Sequence, residues 1–204
     1  MGTLIAEIST FVHILAAAAF FVFAFFEIFA ALKPGSKIPS IGSFLLFAGG
    51  ISGLAFMFSK TGGTPDAFFD TISKESIFML FSGFFLLLST SGLIGIMQYL
   101  SKSIPGFWKL FQMLLFCFVA VCFYVYPKFY AAETDPLIEQ LHHVMAYAAI
   151  AGSAVCAINV FLKNKFVAFL AVFCFLISGI LLVQFRENPN SFLRQTEFSS
   201  SVNL

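Results

Sequence analysis

Six long apolar stretches separated by short polar connections constrain this chain more than any other feature. They run roughly over residues 8–32, 41–59, 76–98, 107–127, 138–162 and 166–185. A bilayer hydrocarbon core of about 30 Å is crossed by about 20 apolar residues in a helix, and each stretch comes close to that length or exceeds it. Only 10% of the residues are charged, against about 25% in soluble domains, and the mean hydropathy is +0.97. The apolar surplus must therefore face lipid. The 31 phenylalanines are too many for a water-soluble core of this size and read as adaptation to hydrocarbon, not as a cofactor box. The expected fold is all-α: a polytopic six-transmembrane-helix bundle over residues 1–186, followed by a polar tail over 187–204.

Helix breakers mark the connections. Lys33-Pro34-Gly35-Ser36-Lys37, Lys60 to Asp66, Ser101 to Gly106, Pro127 to Pro136 and Lys163-Asn164-Lys165 concentrate proline, glycine and charge where helices should stop. The last connection is so short that spans 5 and 6 must form an antiparallel hairpin. Within the second connection, Thr64-Pro65-Asp66 followed by Ala67-Phe68-Phe69 and Ile72 reads as an N-cap, a proline at the first helical position and one or two apolar turns. It predicts a short interfacial helix in the 2–3 loop. The N-terminus lacks a basic n-region and a small-residue cleavage site, so the first stretch is expected to be retained as a span.

Orientation follows from the lysines, because cytoplasmic loops retain basic residues. Lys33, Lys37, Lys102, Lys109, Lys163 and Lys165 flank connections 1–2, 3–4 and 5–6 with no acid among them. The other side carries Lys60 and Lys74 against Asp66, Asp70 and Glu75, and Lys128 against Glu133, Asp135 and Glu139. Both termini are therefore expected outside. Tyr99 and Trp108 would mark the inner boundary, and Tyr124, Tyr126 and Tyr130 the outer one.

Ionisable groups inside a span cost several kcal/mol and are functional candidates by default. His13, Glu27, His142 and His143 are read as such groups. His13 lies about as far from the outer end of span 1 as His142 and His143 do from that of span 5, so the orientation places all three at similar depth. Neighbours on a helix diverge by about 100°. Below His142 runs a seam of Ala146, Ala149, Ser153 and Cys156; below His143 runs the bulkier Tyr147, Ile150, Ala154 and Phe161. His142 is therefore expected inside and His143 in reserve. Glu139, one turn before both, could orient an imidazole, and Met57, Met79 and Met145 add soft ligands should the ion be copper. Histidine pairs can hold haem b, and histidine with methionine can hold copper; the glycines of spans 2 and 3 would give a macrocycle room. Equally, histidines near an interface can simply end a helix. Glu27 shares a face with His13, fourteen residues on and about 21 Å away, either as a proton-handling group or as a hydrogen-bonded structural one.

Phe11-Val12-His13-Ile14-Leu15, continuing through Ala16 to Ala19 and Phe20, resembles the first helix of the CopD-like copper-resistance and HemJ-like haem-associated membrane proteins. The Trp-x-Gly-Gly pattern of those families is replaced by Phe20-Phe21-Val22-Phe23. The resemblance implies haem or copper at His13.

Three functions follow as expectations: a haem b or copper site near the outer face serving electron transfer or metal handling; a cofactor-free accessory subunit of a respiratory or photosynthetic membrane complex; or a small-solute transporter component. No GxSxG, HExxH or paired-carboxylate pattern supports a hydrolase, so an enzyme acting on its own is not expected. Cys117, Cys122, Cys156 and Cys174 form no CxxC pair. With net charge +1 and no basic run, nucleic acid is excluded as a partner; lipids, other membrane subunits or further copies of the chain are expected instead, in a bacterial inner membrane.

Overall fold

The computed structural model describes residues 2–33, 35–101, 105–129 and 136–184. The expected polar tail from 187, and Lys102, Tyr130, Glu133 and Asp135 in the connections, lie outside the described residues. Among the described residues seven helices follow in order: α1 (Gly2–Leu32), α2 (Ile38–Lys60), α3 (Pro65–Lys74), α4 (Ser76–Leu100), α5 (Pro105–Val125), α6 (Pro136–Leu162) and α7 (Lys165–Gln184), with a 3-10 turn at Tyr126–Phe129 after α5. No strand occurs among the described residues. Six of the helices, all but α3, are long and apolar enough to cross a membrane.

Each long helix packs against its neighbours in the chain, α1 on α2, α2 on α4, α4 on α5, α5 on α6 and α6 on α7, and α7 returns to α1. The result is a closed up-and-down ring. One end collects the start of α1, the end of α2, the start of α4, the end of α5 and the start of α6; the Glu7 to Lys60 ion pair at 2.8 Å ties two of these together. The other end collects the end of α1, the start of α2, the end of α4, the start of α5, the end of α6 and the start of α7.

Glycines let α2 and α4 approach closely. A Cβ at Gly92 would run into the backbone of Phe47 and Ser43, and one at Gly50 into the backbone of Phe85 and Ser89. Small residues at such crossings permit the close packing that replaces the hydrophobic effect between helices in lipid. A buried Ser178 hydroxyl donates to the Met145 carbonyl at 3.0 Å, joining α7 to α6.

The phenylalanines divide between two roles. Phe25, Phe44, Phe118 and Phe173 face outward, while Phe20, Phe78, Phe81, Phe85, Phe116 and Phe175 are fully buried. Phe20, Phe23, Phe116 and Phe175 meet one another at ring centroid distances of 4.5–6.1 Å and fill the middle of the ring.

The short α3 forms where its capping signal predicts. The Thr64 hydroxyl accepts from the Ala67 amide at 3.3 Å, and Pro65 occupies the first turn. Phe68 packs on Phe58, whereas Phe69 is 67% exposed.

Candidate functional site

Two buried polar clusters lie on either side of the phenylalanine layer. At the end where α1 begins, His13 of α1 and His142 of α6 are both buried, and their Nε2 atoms face each other at 3.4 Å. The two helices are not ring neighbours, so the contact reaches across the interior past α7.

Helix geometry fixes each imidazole by its other nitrogen. His13 Nδ1 donates to the Ser9 carbonyl at 2.7 Å, and His142 Nδ1 donates to the Ile138 carbonyl at 2.8 Å; each carbonyl lies one turn back. A carbonyl oxygen only accepts, so both Nδ1 atoms carry hydrogen. A neutral imidazole has one N–H, and each ring then presents the Nε2 lone pair to the other. Two lone pairs facing at this distance would be reconciled by a cation shared between them, either a proton on the line or a metal ion set to one side of it.

Tyr126 completes the cluster. Its ring stacks on His142 at 4.9 Å and 25° and meets His13 edge-on at 5.6 Å, and its hydroxyl and that of Ser9 share a hydrogen bond at 2.5 Å. Ser9 Oγ in turn lies 3.3 Å from His13 Nδ1. The sequence marked Tyr126 only as an interface aromatic. The signal available was its position at the last turn of a span that ends level with the histidines.

The other candidates fall as follows. His143 is half-buried, stacked on Tyr124 at 4.4 Å, and its Nε2 stands 4.0 Å from the Glu139 carboxylate. Glu139 therefore neighbours His143, while a backbone carbonyl orients His142; the i to i−4 bond pre-empts the role expected of the acid. Met57 and Met145 are fully buried in the core, but Met79 is 54% exposed. On α4 the inward face is set by Phe78 and Phe81, and a residue about 100° from Phe78 points outward.

The second cluster gathers round Glu27, and its ion-pair partner was not foreseen. Lys109, counted as a loop lysine, is buried in α5 and forms an ion pair with Glu27 of α1. Its ammonium also sits 4.6 Å from the Phe23 ring centroid and 3.5 Å from Gln112 Oε1; Gln112 Nε2 donates to the Ser91 carbonyl at 3.1 Å. The Cys156 thiol approaches the second Glu27 oxygen at 3.7 Å. Lys109 stands in the run Phe107-Trp108-Lys109-Leu110-Phe111, inside the fourth apolar stretch, and that position was the available sign of burial.

Among the described residues no group of three or more His, Cys, Asp or Glu side chains is arranged to hold a metal. A metal at His13 and His142 would take its further donors from other chemistry. Comparison with protein-family models, with curated proteins and with solved structures finds no match.

Proposed function

We propose that the protein is an integral membrane protein that holds a copper ion between Nε2 of His13 and Nε2 of His142, for metal handling at the outer face. The observation that carries this reading is the pair of facing lone pairs, each fixed by a backbone carbonyl behind it. With metal–nitrogen bonds of about 2.0–2.1 Å, nitrogens 3.4 Å apart subtend roughly 110–115° at an ion, the angle of a trigonal or tetrahedral site. Axial ligation on opposite faces of a haem needs a straight line, hence roughly 4 Å between the nitrogens, and a macrocycle between the rings. The arrangement does not fit a haem held by these two residues.

Imidazole suits copper among the first-row metals, and the buried thioethers of Met57 and Met145 are of the soft ligand type that selects Cu(I). Structural zinc asks for four protein ligands in a closed site, more than the described residues bring together from His, Cys, Asp and Glu. Orientation by the loop lysines puts the pair near the outer face, with both termini outside and α3 lying along that interface, Phe69 toward lipid and Asp66, Asp70 and Lys74 toward water.

The test is metal analysis of protein purified from copper-supplemented cells, with His13→Ala, His142→Ala and His143→Ala beside the wild type. About one copper per chain, lost in the first two variants and kept in the third, is expected. Copper-free wild type that also fails to bind added Cu(I) would overturn the reading and leave a proton as the shared cation.

A further inference from the structure

The ion pair at the opposite end of the ring has no part in holding copper, and charges inside a span are retained at a cost of several kcal/mol. Lys109 and Glu27 side chains are only 11% and 18% exposed. They line a cavity of about 10 Å3 together with Ser43, Gln98, Tyr99 and Gln112, and a polar cavity of about 10–15 Å3 is what one water requires. Gln98 and Tyr99 are in the last turn of α4 and Pro39, also lining it, is in the first turn of α2, so the cavity lies at the lysine-flanked end. Toward the histidines, Phe20, Phe23, Phe116 and Phe175 close the interior.

We propose that Glu27 and Lys109 form a proton-exchange site that communicates with the lysine-flanked end alone. The Glu27 carboxylate takes a proton from hydronium through water in the cavity and becomes a neutral carboxyl; the site passes from net zero to net +1. The Lys109 ammonium keeps its place against the Phe23 ring and Gln112 Oε1. The ionisable and charged groups facing Glu27 are Lys109 from α5, Cys156 from α6 and Tyr99 from α4; α2 offers the Ser43 hydroxyl and Pro39, and α7 the apolar Phe175 against Phe23. A sealed ion pair of purely structural value would leave this carboxylate ionised and unreactive. The site does not depend on the copper reading.

Dicyclohexylcarbodiimide reacts with protonated carboxyls in apolar surroundings and tests this directly. Wild-type protein in lipid nanodiscs is treated between pH 5 and pH 9 and the adducts are located by peptide mass spectrometry. The expected result is labelling of Glu27 that rises several-fold as pH falls. No Glu27 adduct at any pH while the exposed Glu7 is labelled by a water-soluble carbodiimide, or labelling that does not change with pH, would overturn the proposal.

Discussion

Removing the Lys109 charge while keeping its length isolates the energetics of the second cluster. In Lys109→Met the Glu27 carboxylate, 18% exposed, loses its counter-ion and keeps the thiol of Cys156 at 3.7 Å. Breaking a buried pair by removing one partner costs about 3–5 kcal/mol, because an uncompensated charge stays behind. Glu27→Gln leaves the ammonium instead, which still has the Phe23 ring and Gln112 Oε1 and a flexible stem that can carry it toward water, so its cost should be smaller, about 1–3 kcal/mol. The double variant Glu27→Gln/Lys109→Met removes both charges and should lie within about 1 kcal/mol of wild type, since replacing a buried pair by apolar groups is often neutral or stabilising. Reversible unfolding in mixed micelles, followed by circular dichroism across a denaturing-detergent titration, gives all three values. A Lys109→Met cost under about 1 kcal/mol, or a double variant as damaged as the single one, would refute the reasoning that the charges compensate each other in a buried site.

Three further outcomes follow from the packing and topology. Gly92→Ala should destabilise by about 1–3 kcal/mol through overpacking, since its Cβ meets the Phe47 backbone, whereas Gly83→Ala, with nothing within 4 Å, should stabilise by up to about 1 kcal/mol through helix propensity; paired thermal melts check both. Lys163 holds φ 49° just past the end of α6, a conformation that disfavours residues bearing a Cβ by about 1–2 kcal/mol, so Lys163→Gly should raise the melting temperature. In a background lacking the four cysteines, Ser73→Cys should react with an impermeant maleimide added outside intact cells and Lys165→Cys only after lysis; the reverse pattern would contradict the orientation.

Helix existence was legible because a span needs length and apolarity and nothing finer. The ends moved by a few residues: α2 begins at Ile38, where Pro39 fits the first turn, and not near 41. Spacing alone also placed His142 and the alanine seam on one face of α6, because the bulkier residues below His143 belong to a different face. What spacing could not supply was contact between elements far apart in the chain. Glu27 and Lys109 are separated by 82 residues, and a lysine near a span end counts toward orientation until its partner is found. The role of Tyr126 likewise depends on the ring closing so that the end of α5 meets the starts of α1 and α6. The identity of the group orienting His142 turned on a local competition, won by the Ile138 carbonyl over the Glu139 carboxylate.

The central claim is that one ion sits at an angle between two imidazole nitrogens. X-ray absorption at the copper edge of the copper-loaded protein measures this most directly. The account predicts two imidazole nitrogens at about 2.0 Å, with loss of the imidazole multiple-scattering pattern in His142→Ala. A copper environment without imidazole, or protein whose metal is iron with a Soret band, would contradict it.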